Sequence, residues 1–574
     1  MVYFGIRLVM NFFKRLFGSK KPADNPKPVQ DVYNPSAFSL FVQDHMPHQN
    51  ITLEKTVKHP MGQISIPTGC GKTRIQLHLH LKDMLDKQAN NQTGIYVIVA
   101  HRLALCNQLL ADFSYLTASK LNIQCDYLIV SSDSFSVGRI VNTIKKRYPG
   151  TTNKDLSILK NDGTRVLSTT DENQITEFIK VSKNLNRHVV CVSTYNSFDR
   201  LKKVKPLDVC TFDEAHKIGK QDKDFYDGIA KVKPNIAKQY FFTATRKVEG
   251  SKGGMNDTGF YGEILHTISP MEMVNAGVIV APQYHNLEIE DYDGQNYDNP
   301  LMIEKAIIKG FLDHQNKVKQ SSHNPKLIGT KMLVSCDSTI QLRKIVKSIS
   351  FQEFCKENGI KLFAVSSNPD VGDSINGAKI NSRNDILNQM FDLDETDDAI
   401  LLHVDIFSEG IDLPSLTGVM ILRKTISEET LIQTVGRGTR LHPNDRQRIK
   451  QGKLKPKVFS KYVKAQCWII IPNFVTDEPF IKQTLNNTFG VPHAPLINYS
   501  RDNEYLAEAN NEPEPLNPFD DLEAKNREGK LASYYDINSY WSTLSSDEQM
   551  KFLNDVILLS ADTPSIYEDK NAQA

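Results

Sequence analysis

The sequence predicts an α/β protein with two parallel-sheet domains in series, a short basic leader before them and an acidic, partly helical segment after them. Three observations carry that expectation. A short apolar strand, a glycine-bearing loop and a helix-periodic stretch follow one another between Gly62 and Gln88. Downstream, apolar runs of strand length alternate with helical stretches, the pattern of a parallel sheet covered on both faces. After a stretch dense in Asp, Asn, Tyr and Gly at Asp291 to Pro300, a second series of such runs begins. The expected divisions are a leader and linker over 1–37, a first domain over 38–290, a second over 300–480 and a C-terminal segment over 481–574.

With 574 residues, 40% hydrophobic and 24% charged, the chain has the balance of an ordinary globular protein and length for several cores. A net charge of +2 gives no global sign of a polyanion binder. The charge is uneven, however: Asp445 to Lys464 is basic, and everything after Asp502 is rich in Asp and Glu. The eight cysteines form no Cys-x-x-Cys pair and have no His at zinc spacing, which points to a reducing compartment and away from a structural metal. Met1 to Lys21 is apolar and basic, but Arg7, Lys14 and Arg15 interrupt it, so it is too short to span a bilayer. It lacks a secretory cleavage pattern and reads as an amphipathic surface helix, an organelle transit peptide or a leader ahead of a start at Met10. Lys20 to Pro35 has linker composition.

The first domain is organised around Ser65-Ile66-Pro67-Thr68-Gly69-Cys70-Gly71-Lys72-Thr73-Arg74. Gly62 to Pro67 reads as a buried strand, and Ile75, Leu77, Leu79, Leu81, Met84 and Leu85 recur at helical spacing after the loop. A strand that turns through glycines into a helix aims successive backbone N–H groups and a positive dipole end at one point, which is a cradle for phosphate. Thr68, Gly69, Cys70 and Gly71 would line that cradle, Lys72 would reach the outer phosphates and the Thr73 hydroxyl would ligate Mg²⁺. The strict phosphate-loop pattern has glycine at 66, where this chain has Ile66. Ahead of the loop, Gln49 in Pro47-His48-Gln49 can read an adenine edge with both its donor and its acceptor.

Strand-like runs follow at Ile95 to Ala100, Val189 to Tyr195, Val209 to Phe212 and Tyr240 to Thr243. Between them, Ser131 to Asn186 is polar and without strong period, and reads as an insertion. Asp213-Glu214-Ala215-His216 closes one of these runs, where side chains point into the ligand crevice of a parallel sheet. Asp213 would hold Mg²⁺ and Glu214 would orient and deprotonate the attacking water. Thr243-Ala244-Thr245-Arg246 ends the next strand, placing hydroxyls that can link the nucleotide site to the second domain.

The second series runs through Lys331 to Cys336, Lys361 to Ser366, Ala399 to Val404, Gly418 to Leu422 and Gln466 to Ile471. After the third run, Gly410 permits close backbone approach to a ligand, and Asp412 can accept from a ribose hydroxyl. Gln433-Thr434-Val435-Gly436-Arg437-Gly438-Thr439-Arg440 sets two guanidinium groups on one face if the segment is helical. Arginines so placed suit the charge that spreads over a transferring phosphoryl group.

In order, TGCGKT, AHR, STYNSF, DEAH, TATR, SEGIDLP and QTVGRGTR resemble the motifs of superfamily 2 helicases and translocases, from about His48 to Arg440. The resemblance implies two RecA-like domains with ATP between them. Lys72, Thr73, Asp213 and Glu214 then come from the first domain, and Gly410, Asp412, Arg437 and Arg440 from the second, with Arg440 as arginine finger. DEAD-box RNA helicases differ at His216 and at Gln433-Thr434; processive DEAH-type RNA helicases differ at Ile66-Pro67-Thr68-Gly69. The motif style is closer to restriction-enzyme motor subunits, phage fork-remodelling helicases and XPB-like translocases. The implied activity is an ATP-dependent DNA helicase or translocase, with an RNA helicase and a nucleotide-gated clamp as alternatives.

By the same resemblance, Arg102, Thr194 and Tyr195 of the first domain line a nucleic-acid channel; candidates for the second are Ser335 and the basic run Arg446 to Lys464, which reads equally as a solvated loop. DNA is preferred to RNA as the partner. The acidic C-terminal segment is a candidate for a protein partner, and no membrane span is expected. The expected compartment is the cytoplasm of a bacterial or phage-infected cell, with the transit-peptide reading of the leader still open.

Overall fold

The computed structural model describes residues 35–490 apart from short internal stretches, the longest being 132–136, 249–253, 291–298, 367–372, 381–385 and 405–415. Arg102, Gly410 and Asp412, the basic leader and the acidic C-terminal segment therefore lie outside the described residues.

Two sheets organise the chain. In the first, β1 (Met61–Ser65), β2 (Ile95–Ala100), β3 (Cys125–Val130), β4 (Val166–Ser168), β5 (His188–Thr194), β6 (Leu207–Phe212), β7 (Ile236–Thr243) and β8 (Ile264–Thr267) stand in the order β4-β3-β5-β2-β6-β7-β1-β8. Every pairing in it is parallel. Strands such as Ile-Tyr-Val-Ile-Val-Ala of β2 are buried at every position because helices cover both faces. One face packs on the helices Lys72–Ala89 and Leu103–Ser114, the other on Glu172–Asn184 and the turn Tyr195–Leu201.

The second sheet holds β9 (Pro282–Leu287), β10 (Lys331–Ser335), β11 (Lys361–Val365), β12 (Asp373–Ile375), β13 (Ala378–Ile380), β14 (Ala399–His403), β15 (Gly418–Ile421) and β16 (Cys467–Pro472). Its order is β13-β12-β11-β14-β10-β15-β16-β9, parallel except for the small β11-β12-β13 meander at one edge. The two tandem parallel-sheet domains of the sequence reading are both present.

Two expectations need correcting. β9 pairs in parallel with β16 over Pro282 to Leu287, so the chain passes to the second sheet before Pro282 and not at Asp291 to Pro300. The sequence around 282–287 has no local mark of which sheet will accept it; the partner strand lies far downstream. The segment read as an insertion also contributes to the first sheet, because β4 extends its edge beside β3. It is tied in by Asp126, a fully buried carboxylate on β3, which accepts from Arg165 Nη2 at 2.7 Å and Arg187 Nε at 2.9 Å. A buried carboxylate left without those partners would be strongly destabilising.

All eight cysteines are buried and free. No helix among the described residues is long and apolar enough to cross a membrane.

Candidate active site

The loop between β1 and the helix Lys72–Ala89 reaches its helix through Gly69 (φ +85°) and Gly71 (φ +82°), a left-handed path that favours glycine. At the helix start, where a first turn leaves N–H groups open, Arg74 N donates to the Gly71 carbonyl at 3.0 Å. Lys72 Nζ folds back over the loop, donating to the Ile66 carbonyl at 3.3 Å and lying 3.8 Å from Glu214 Oε1. Cys70 is buried, which pushes its thiol up to about 12 and keeps a negative sulfur away from the phosphate cradle.

Gln49 sits on the helix Pro47–Thr56, 1% exposed, and its Nε2 donates to the carbonyls of Cys70 at 3.4 Å and Gly71 at 3.3 Å. His48 Nε2 meets the Cys70 carbonyl at 2.8 Å. The amide is thus anchored against the loop it was expected to serve. Gln49→Ala should raise the KM for ATP roughly tenfold, the scale of one lost hydrogen-bonding group, and narrow the preference over GTP. Turnover with both nucleotides across a concentration series checks this; unchanged discrimination would remove Gln49 from base reading.

Asp213 and Glu214 follow β6. Asp213 accepts from Gln76 Nε2 at 2.8 Å, and its backbone carbonyl accepts from the Tyr195 hydroxyl at 2.8 Å. Burial and the adjacent Glu214 carboxylate raise the pKa of Asp213. Burial also works against the Glu214 charge, but Lys72, His216, Arg437 and His101 outweigh it and hold Glu214 below the usual carboxylate range. One carboxylate is therefore poised to be neutralised by a cation and the other to stay a base. Thr73 and Asp213 supply hard oxygen donors of the kind Mg²⁺ takes, so the residues present fit that ion.

His216 links the two domains. Its Nδ1 meets Thr243 Oγ1 at 2.9 Å, and the Thr243 hydroxyl is itself donated to the Thr245 carbonyl at 2.5 Å. Across the cleft, His216 Nε2 lies 2.7 Å from Glu429 Oε1 and 3.4 Å from Gln433 Nε2. The Thr243 hydroxyl thus contacts a histidine that in turn contacts Glu429 and Gln433 of the second domain. Glu429 was not singled out from sequence. In the first turn of the helix Glu428–Gly438, capped by Ser427, it reads as an ordinary helix-start acid.

The same helix carries Arg437, and Arg440 lies just past its end, bridged through the backbone to Ile279. Gly436 approaches the phosphate loop so closely that an added Cβ would stand 3.0 Å from Thr68 Cβ. Arg440 Cγ would be 3.0 Å from a Cβ at Gly69. Burial, with Arg147 and Arg446 nearby, lowers Arg440 to about 10, so the guanidinium remains a cation at neutral pH. Gln49, the loop from Thr68 to Thr73, Asp213, Glu214, Arg437 and Arg440 all line one cavity of about 1130 Å³.

Two of the residues expected along a nucleic-acid channel, Tyr195 and Ser335, are buried. Tyr195 is 2% exposed, and its hydroxyl braces Asp213 from below rather than facing a channel. Ser335 is 1% exposed and accepts from Arg423 Nε at 3.1 Å, so it is spent inside the second domain. Thr194 is half-buried and donates to Ser197 Oγ at 3.2 Å. The basic run from Arg446 to Lys464 is not one solvated face. Arg446 lines the nucleotide cavity, Lys450 pairs with Asp44 at 3.2 Å, and Lys464 is buried, while Lys453, Lys455, Lys457 and Lys461 are exposed.

A glycine-rich phosphate loop, a carboxylate pair at a strand end and arginines from the second domain, all on one cleft, define a two-domain protein of the nucleoside-triphosphate-binding class. Two family profiles match the chain: "Type III restriction enzyme, res subunit" over residues 43–248 and "Helicase conserved C-terminal domain" over 318–442. Over these two stretches the chain carries the RecA-like domains of superfamily 2 helicases, related to restriction-enzyme motors, and they are domains of ATP-hydrolysing enzymes.

Among individual relatives, the Saccharomyces cerevisiae protein IRC3, which its name assigns to the ATP-dependent helicases, is 36% identical over 93 residues. That match covers 16% of this chain and 12% of the yeast protein. The ATP-dependent Type ISP restriction-modification enzyme LlaBIII bound to DNA shares the fold with a TM-score of 0.53 at 16% identity, over 77% of this chain and 29% of that one. Mss116p bound to single-stranded RNA and AMP-PNP matches with a TM-score of 0.44 at 15% identity, over 77% of this chain and 73% of that one, too distant to weigh on substrate. The chain thus spans under a third of the length of LlaBIII and about an eighth of IRC3.

Proposed function

We propose that this protein is an ATP-dependent DNA translocase or helicase that moves on, or remodels, duplex or branched DNA. One observation carries the reading: the phosphate loop and carboxylates of the first domain share a single cavity with Arg437 and Arg440 of the second. A ligand held there touches both domains, so gaining and losing its terminal phosphate changes how they are held together.

In this reading Lys72 and the loop N–H groups bind the phosphates, and Thr73 and Asp213 would hold Mg²⁺, which would screen phosphate charge. Glu214, kept ionised by the cations around it, takes the proton of the attacking water. Arg437 and Arg440 face the charge that builds on the γ-phosphate oxygens. His216 senses the carboxylate side through Glu214, 3.5 Å away, and passes the state to Glu429 and Gln433 of the second domain. The grip on nucleic acid would be directed at backbone phosphates and nearly independent of sequence.

DNA is favoured by the restriction-subunit profile over 43–248 and by the DNA-bound relative LlaBIII. An RNA helicase and a clamp that binds without moving are the competing readings. ATPase rates at matched salt with single-stranded DNA, duplex DNA, forked DNA and RNA separate them. Stimulation by duplex or forked DNA is expected. Stimulation by single-stranded RNA alone would move the assignment to RNA, and binding without stimulated turnover would favour the clamp.

Lys72→Ala is expected to abolish hydrolysis while leaving much of the nucleic-acid binding, because Lys72 touches only the nucleotide side of the cleft. ATP turnover alongside fluorescence anisotropy with labelled DNA checks both halves. Retained hydrolysis would contradict the phosphate-loop assignment.

A further inference from the structure

The arginine segment ends in carbonyl groups that its own helix cannot satisfy. The last turn of any α-helix leaves such acceptors open, and here the helix stops at Gly438, two residues before Arg440. The surrounding chain closes them one by one. Thr439 Oγ1 donates to the Gly436 carbonyl at 3.2 Å, and Val280 N donates to the Thr439 carbonyl at 2.8 Å. The carbonyls of Gly438 and Arg440 are taken by a single group, Lys464 Nζ, at 2.5 and 2.6 Å.

We propose that Lys464 is a positioning residue for the arginine finger: its buried ammonium clamps the backbone on both sides of Thr439 and so fixes where Arg440 enters the nucleotide cavity. Lys464 does not line the nucleotide cavity, and it acts through the backbone of Gly438 and Arg440.

Three features support the inference. Lys464 is 2% exposed, although it ends a run whose other lysines from Lys453 to Lys461 are exposed. Its ammonium bonds carbonyl oxygens at a helix C-terminus, the end whose dipole favours a cation. It is also held in place: Asp445, itself fully buried, accepts from the backbone N–H groups of Val463 at 2.8 Å and Lys464 at 2.9 Å. Around it stand Glu395, Cys467, Arg440 and His314, and burial depresses its own ionisation to about 8. A buried, desolvated ammonium is costly to keep, and its bonds here go to the segment that delivers Arg440.

The inference rests on Arg440 acting on the γ-phosphate, so the test separates the two. Single-turnover ATP hydrolysis and ATP affinity are measured for Lys464→Met, Arg440→Ala and the double variant, with thermal melting as a check on folding. Lys464→Met is expected to lower the hydrolysis rate about 10- to 100-fold, the scale of a small misplacement of a reacting group, with ATP affinity within about twofold of wild type. In the Arg440→Ala background the same substitution should cost nothing more, because the group it positions is gone. Asp445→Asn, which loosens Lys464 without removing it, should give a smaller loss with the same dependence on Arg440, and it carries the test should Lys464→Met fail to fold. An equal loss with or without Arg440, or a loss in affinity instead of rate, would reduce Lys464 to a structural group and overturn the proposal. Wild-type turnover in Arg440→Ala would instead remove the finger assignment itself.

Discussion

Arg440→Ala should reduce ATP turnover by about 10³-fold or more while leaving nucleotide affinity within a few-fold of wild type, the range set by arginine fingers in other phosphoryl-transfer enzymes. Arg440 comes from the second domain yet packs against Gly69 of the phosphate loop, and it stays cationic at neutral pH even though burial lowers it to about 10. Its charge matters most where negative charge builds on the departing phosphoryl group, so the loss should fall on the chemical step. Rapid-quench hydrolysis beside equilibrium binding of a fluorescent ATP analogue distinguishes the two. A comparable loss in both would mean that Arg440 binds ATP without serving the transition state.

Glu214→Gln is the second large effect, an expected loss of about 10² to 10⁴ in turnover, the usual range for removing a general base. The carboxylate lies 3.8 Å from Lys72 Nζ and 3.5 Å from His216 Nδ1, and Lys72, with Arg437 nearby, holds it below the usual carboxylate range. Because its folded pKa is depressed, the base form is present at neutral pH and is lost only as the pH falls through that lowered value. Glutamine keeps the shape and removes the proton acceptor, so ATP should still bind and the variant should accumulate in its ATP-bound form. Trapping of radiolabelled ATP on the filtered protein reads this directly. Near-wild-type turnover would show that another group accepts the water proton.

Much of the fold was legible because its signals are local. The strand, loop and helix around Lys72 announce themselves within a few dozen residues, and the fully apolar strands can only belong to a sheet covered on both sides. What could not be read depends on partners remote in sequence. β9 carries nothing that assigns it to the second sheet until β16 is in place beside it. Tyr195 stands at a strand end, where sequence cannot say whether the ring turns toward solvent or under Asp213, and it turns under. Ser335 had a free hydroxyl on paper but meets Arg423 from a neighbouring strand end. Lys464 looked like one more charge in a basic run, and only the fold places its ammonium against the end of the arginine helix. Glu429 shows the same limit: helix-start acids are common, and its reach to His216 across the cleft is a property of the assembled domains.

The most direct test is whether nucleotide draws the two sheets together. All eight native cysteines are buried, so labels can be introduced through Lys183→Cys on the first domain and Lys356→Cys on the second, both exposed positions. Pulsed dipolar spectroscopy with and without a non-hydrolysable ATP analogue then reports the distance between them. The expected result is a shift to one narrower distribution when the analogue binds, absent in the Lys72→Ala protein. An identical distribution with and without saturating analogue in the otherwise wild-type protein would contradict a motor in which one ATP is gripped from both sides.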